Sequence, residues 1–252
     1  MNSIFPSSSL LGIRFEDLDQ TAALAAIGGR AADAAFAYVV TINADHFVRL
    51  DTADDALRAD YAAAWLSLCD SRVLRKLAGL RGYDLSVVTG SDLTAAVFEQ
   101  LITPHTPITI IGSDDATIAA LRMRYPGLLL HHHNPPMGFI HQPEAVAAAV
   151  EFVCTHPARF VFLCVGSPQQ ELLASRIAAT GRARGVGLCV GASITFLAGT
   201  KQRAPLWMQR AHIEWLHRLL QEPGRMWRRY LLGALPLLSL IRRMPPASSA
   251  RS

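Results

Sequence analysis

Residues 159–180 read RFVFLCVGSPQQELLASRIAAT. From Phe160 to Val165 every side chain is apolar or a cysteine, with no alternation of wet and dry positions. A strand with no polar face is buried on both sides, as in a parallel sheet covered by helices. Gly166-Ser167-Pro168 ends the run, and Gln169–Thr180 continues with apolar residues at helical spacing. The unit is strand, tight turn, helix, and it sets the pattern for the rest of the chain.

The same unit recurs on either side. Candidate strands lie at Phe36–Asn43, Trp65–Cys69, Ile108–Gly112, Leu128–His132, Arg159–Gly166 and Val186–Gly191. Helical patterns fall at Leu18–Ile27, Ala44–Ala64, Asp92–Leu101, Asp115–Tyr125, Pro143–Thr155 and Gln169–Thr180. This order predicts an α/β, Rossmann-like, doubly wound and mostly parallel sheet with helices on both faces. No internal repeat is present.

The chain has 252 residues, 51% hydrophobic and 17% charged, which suits a sizeable core and excludes global disorder. Cys69, Cys154, Cys164 and Cys189 are widely spaced without a CxxC pair, and read as reduced cysteines of a cytosolic protein. The first residues, MNSIFPSSSLLGIRF, lack the basic and then apolar pattern of a secretory signal.

Net charge is +4, unevenly spread. Residues 201–252 hold ten Lys or Arg against two Glu, whereas residues 1–200 hold 14 basic against 18 acidic side chains. An acidic body with a basic, Trp-bearing tail points to an anionic surface as partner. Trp207, Ala211, Trp215 and Leu219 share a helical face, and Pro223 suits the first turn of a further helix. The apolar stretch Leu231–Ile241 spans 11 residues, against about 20 for a bilayer span, so it is expected to dip into an interface without crossing it. Basic residues alternating with Trp, Met and Leu fit an interfacial helix better than a nucleic-acid arm. The expected division is an α/β catalytic domain over 1–200, a basic amphipathic helical, membrane-associating appendage over 201–245 and a disordered tail over 246–252.

Open parallel sheets bind ligands beyond the carboxyl ends of their strands. The polar residues there are Thr41 and Asn43, Asp70-Ser71, the turn before Gln170-Glu171, and Gly191-Ala192-Ser193. Asp70 fits a general base, which takes a proton from an attacking hydroxyl, or a helix cap. Thr41 and Asn43 fit a pocket or a turn. Gly90-Ser91, within Val88–Asp92, and Gly166-Ser167 suit backbone N–H groups facing phosphate at helix N-termini, as well as tight turns. The GxGxxG and Walker lysine motifs are missing, which disfavours dinucleotide enzymes and P-loop ATPases. His131-His132-His133 on a strand alternate sides and do not converge on one metal ion. Asp54-Asp55 and Asp114-Asp115 suit first turns of helices rather than a metal clamp.

TINADHF (41–47), LCDS (68–71), VTGSDL (88–93), RYPGL (124–128), NPPMGF (134–139), VGSPQQE (165–171) and the long run GASITFLAGTKQRAPLWMQRAHIEWLHRLLQEPGRMWRRYL (191–231) together resemble the WecG/TagA/CpsF family, glycosyltransferase family 26. The resemblance implies a metal-independent, inverting enzyme without cofactors. It would move a hexosyl, N-acetylhexosaminyl or uronosyl unit from a UDP-sugar to an undecaprenyl-diphosphate-linked saccharide in cell-surface polysaccharide synthesis. By the same resemblance Asp70 is the base. Thr41, Asn43, Thr89, Gly90, Ser91, Asp92, Gly166, Gln170, Glu171, Gly191, Arg203, Arg228 and Arg229 bind substrate, with Gln170 near the donor. The basic tail docks on the inner face of the cell membrane, as a peripheral cytoplasmic protein would, and closes over the site.

The sequence departs from the family pattern at four positions. Ser71 stands for a glycine, Gln169 for a lysine, Thr195 for an aspartate, and Val88 where an arginine is frequent. The departures touch donor identity and keep a second reading open, a degenerate relative acting as a non-enzymatic partner in a polysaccharide assembly complex. A homo-oligomer stays among the partners considered, since the sequence does not fix oligomeric state.

Overall fold

The computed structural model describes residues 5–202 and 236–247, with Pro205, Met208 and Gly224. An antiparallel hairpin, β1 (Ser7–Leu10) and β2 (Ile13–Glu16), opens it, turned by Leu11 and Gly12 at positive φ. This hairpin is absent from the sequence reading because its strands have four residues each, too few for a period to emerge. After α1 (Gln20–Gly29) come β3 (Ala37–Ile42), α2 (Ala44–Asp51), α3 (Asp55–Ala62), β4 (Leu66–Cys69), α4 (Arg72–Gly79) and α5 (Gly90–Gln100). Then follow β5 (Pro107–Gly112), α6 (Asp115–Arg124), β6 (Leu129–His133), α7 (Pro143–Thr155), β7 (Phe160–Cys164), α8 (Gln169–Ala179), β8 (Val186–Cys189) and α9 (Ser193–Leu197).

The six strands from β3 to β8 form one sheet in the order β4-β3-β8-β7-β5-β6, and every pairing is parallel. Strand pleating splits the core in two. Tyr38, Val40 and Ile42 of β3 face the cluster that holds α2, α3, α4, α7 and α8, while Val39 faces the one that holds α1, α5, α6 and α9. The expected Rossmann-like sheet with helices on both faces is present, and each candidate strand corresponds to an observed one.

The hairpin covers the outer strand β4. Glu16, 2% exposed, accepts the Ser67 N–H and pairs with Arg14 at 2.7 Å, so its buried charge has a partner. The single helix expected over Ala44–Ala64 is two. The chain breaks at Thr52-Ala53, and the Asp54 carboxylate restarts it by accepting the Leu57 N–H at 2.9 Å. Asp114 caps α6 in the same way, through Thr117 N at 2.8 Å, so both Asp pairs start helices. Helix α4 was not among the expected elements.

Residues 236–243 are helical. Leu237, Leu240, Ile241 and Met244 are buried in the core cluster that includes Leu74 and Ala78 of α4. Arg81 donates from Nε to the Met244 carbonyl at 2.8 Å, Ala247 N–H donates to Arg81 O at 2.9 Å, and Arg243 pairs with Asp51 at 3.0 Å. For the described part of Leu231–Ile241 the expectation of interfacial insertion is therefore corrected: the apolar side of residues 236–243 faces protein. Pro246 and Ala247, expected to belong to a disordered tail, are likewise held, Ala247 by its bond to Arg81. Residues 231–235, the expected helix over 205–221 apart from Met208, and the end from Ser248 lie outside the described residues. No helix among the described residues is long and apolar enough to cross a membrane.

Candidate active site

The strands β4, β3 and β8 are neighbours. The helices after β3 pack on one face, whereas α9 after β8 and α5 after β4 pack on the other. Outgoing chains that part to opposite faces open a crevice at the carboxyl ends of the strands, the place where such sheets bind ligands.

Asp70 follows β4 directly and is half-buried. Its Oδ2 accepts the Gly90 N–H, in the first turn of α5, at 3.2 Å. The helix that starts next is capped by Ser71, whose Oγ accepts the Leu74 N–H at 3.0 Å. The choice between cap and site is thereby narrowed: Ser71 starts α4, and Asp70 faces the crevice.

Thr41 is 4% exposed and donates from Oγ1 to the Cys189 carbonyl at 3.0 Å, tying β3 to β8. A Cβ at Gly90 would lie 3.2 Å from Thr41 Oγ1 and 3.5 Å from Ser193 Oγ, so a glycine lets these three residues meet. Ser91 Oγ is 3.4 Å from Ser193 Oγ, which itself donates to Val190 O at 2.6 Å. Thr41, Asp70, Gly90, Ser91 and Ser193 thus form one hydroxyl-rich bay. Asn43 caps α2 at its edge, accepting from Asp45 N at 3.0 Å and His46 N at 3.1 Å. Thr89 and Asp92 engage each other across the start of α5, with Asp92 N–H to Thr89 Oγ1 at 3.1 Å and Thr89 Oγ1–H to Asp92 Oδ2 at 2.7 Å, a reciprocal cap.

A second group stands behind the first. Gln170, 3% exposed, accepts the Gly191 N–H at 2.9 Å through Oε1 and donates from Nε2 to Glu171 Oε1 at 2.8 Å. Glu171 is fully buried, and burial pushes its carboxyl above the ordinary glutamate range against the opposing pull of the Gln170 and Ser167 hydrogen bonds. Both amide ends of Gln170 are used inside the protein. It supports the turn at Gly191 that leads to Ser193, and Glu171 in turn orients Gln170. Gly166, at φ +81°, begins the turn that leads into α8, where its carbonyl accepts the Gln170 N–H at 2.9 Å.

Arg49, from α2, donates to Ser167 Oγ at 2.5 Å and to Tyr61 Oη at 3.4 Å, and Tyr61 Oη lies 3.0 Å from Ser167 Oγ. Sequence reasoning missed this trio and left Ser193 among the strand ends without choosing it. Arg49 and Tyr61 sit in different helices, and no spacing in the chain announces that they meet at the Gly166–Ser167 turn. Arg203, Arg228 and Arg229 lie outside the described residues.

The histidine run alternates as a strand must. His132 bonds the Gly112 and Ser113 carbonyls through Nε2, while His131 and His133 pack against His156 and Phe152. Among the described residues no three His, Cys, Asp or Glu side chains gather as metal ligands. Burial pushes the Cys69 and Cys164 thiols up to about 12, which keeps them protonated and unreactive. Val88, where an arginine is frequent in the family pattern, is 1% exposed in the core beneath α5.

A parallel sheet with a carboxylate and hydroxyl bay at its carboxyl edge agrees with a match to a family model. That model, described as the glycosyl transferase WecG/TagA/CpsF family, covers residues 8–249. The match takes in the hairpin, every strand of the sheet and the docked residues 236–247, and the chain belongs to this family of glycosyl transferases.

Proposed function

We propose that this glycosyltransferase inverts the anomeric centre as it moves a hexosyl, N-acetylhexosaminyl or uronosyl unit from a UDP-sugar to an undecaprenyl-diphosphate-linked saccharide, with Asp70 as base. The acceptor hydroxyl attacks the anomeric carbon, its proton passes to the Asp70 carboxylate, and the carbon–oxygen bond to the diphosphate breaks with the electron pair leaving on UDP. The observation that carries this reading is the position of Asp70 at a strand end, in contact with the first turn of α5 while Ser71 takes over the capping of α4. Thr41, Ser91 and Ser193 line the same bay with hydroxyls suited to a sugar. Backbone N–H groups at helix starts and the Arg49 guanidinium at the Gly166–Ser167 turn supply positive potential for the leaving diphosphate without a metal. The excess of ten basic over two acidic side chains in residues 201–252 suits work on the inner membrane face, where the acceptor lipid lies.

The test is transfer from a panel of UDP-sugars to a lipid-linked acceptor, in EDTA, with wild type and Asp70→Asn. Asn keeps the shape and cannot take a proton, so turnover is expected to fall by about 10²–10⁴ with donor affinity nearly unchanged. Near-normal turnover of the variant removes Asp70 from the chemistry, and a strict Mg²⁺ or Mn²⁺ requirement overturns the metal-free leaving-group step. A wild type inert on every donor and acceptor would favour the non-enzymatic partner instead.

A further inference from the structure

We propose that α4 and the helical segment 236–243 form a surface that docks on an anionic lipid bilayer and brings the Asp70 crevice up to the leaflet. The proposal rests on the lipid-linked acceptor proposed above, and assigns a described surface to it.

Helix α4 begins at Arg72, two residues after Asp70. Leu74 and Ala78 bury its inner side. Val73, Lys76 and Leu80 lie outward at spacings of three and four, so they make one stripe. Val73 is 43% and Leu80 76% exposed, with Arg75 beside them. Residues 236–247 adjoin the end of α4 through Arg81–Met244 and Ala247–Arg81. That segment adds an exposed Leu238 and the exposed Arg242 and Arg243. Of the six large hydrophobic side chains exposed among the described residues, Val73, Leu80 and Leu238 all belong to these two helices. Asp84 stands 3.9 Å from Arg75, both well exposed, a weak pair that leaves the patch basic.

Charge complementarity selects the occupant. A second copy meeting this face symmetrically would set Arg75, Lys76 and Arg242 against their own duplicates. A nucleic acid would satisfy the cations and leave the exposed leucines in water. An anionic bilayer satisfies both, with Leu80, Val73 and Leu238 entering the headgroup boundary and the cations lying among the phosphates.

The experiment uses the full chain and sedimentation with vesicles of phosphatidylcholine, with or without phosphatidylglycerol. The wild type is compared with Arg75→Gln/Lys76→Gln and with Val73→Ser/Leu80→Ser. All these side chains are exposed, and circular dichroism together with turnover on a soluble short-chain acceptor checks that fold and site are kept. The wild type is expected to bind only the anionic vesicles. Loss of two cations should weaken that binding about 25-fold, and loss of the two apolar side chains should remove the fraction that resists high salt. If the wild type binds and both variants bind equally well, this surface is overturned while the membrane reading stands. If the wild type itself ignores anionic vesicles, the membrane reading falls and this surface with it. A variant that changes only the oligomeric state assigns the face to a second copy and overturns the proposal.

Discussion

The Asn43 side-chain oxygen is committed to starting α2, since it accepts two backbone N–H groups. Its amide N–H groups are the part that an Asp would lose. Asn43→Asp keeps the cap, which Asn and Asp serve about equally, so the melting midpoint should hold while kcat/KM falls about tenfold or more, the worth of one hydrogen bond to substrate. Unchanged kinetics would make Asn43 a cap alone. Glu171 gives a pH signature of opposite kind. Its carboxyl is raised above the ordinary value of 4.5 by burial, so its contribution to stability is fully present below that value and is lost as pH rises through the raised one. Glu171→Gln is neutral throughout, so the stability difference, variant minus wild type, should grow as pH is raised from 4.5. A difference independent of pH in thermal melts would mean that the carboxyl is ionised in the folded protein.

At the scale of elements, the departure at Ser71 acquires a reason. It stands where the family pattern has glycine, and it starts α4 by accepting the Leu74 N–H. Ser71→Ala should cost about 1 kcal/mol and Ser71→Gly a few tenths, both with kcat close to wild type, because the base is the neighbouring side chain. A large fall in kcat from Ser71→Ala, with the fold intact, would place the serine hydroxyl in the reaction. The break between α2 and α3 follows the same chemistry. Ala44–Ala64 has continuous helical spacing, yet Asp54 competes for the backbone and restarts the helix. Periodicity alone did not register that cap, although the Asp54-Asp55 pair that signals it was recognised as a helix start.

At the scale of the molecule, residues 236–247 are part of the body. Burying Leu237, Leu240, Ile241 and Met244 contributes about 1.5–3 kcal/mol for each side chain at most. A chain ending at Leu235 is therefore expected to melt about 10 °C lower or more by calorimetry. An unchanged midpoint would mean that the segment only rests on the surface. The consequence reaches any truncation at Lys201: lost activity there mixes a weakened body with a lost membrane contact. Replacing Arg228 and Arg229 avoids that confusion.

The sequence by itself determined the class of fold. Strands such as Phe160–Cys164, apolar at every position, permit only burial on both faces, and the tight turns after them locate the carboxyl edge where Asp70, Thr41 and Gly90 meet. Those facts are local, carried by composition and by residues a few positions apart. The tertiary structure alone decided what each polar side chain is used for. Gln170 was expected beside the donor, and its amide is instead spent on Gly191 and Glu171, which lie on different elements. Arg49 meets Ser167 across 118 residues of chain, and Leu237, Leu240 and Ile241 turn to protein rather than lipid. Hydrogen bonds and apolar contacts between distant segments depend on which surfaces the fold brings together, and a one-dimensional pattern records only that a side chain needs a partner.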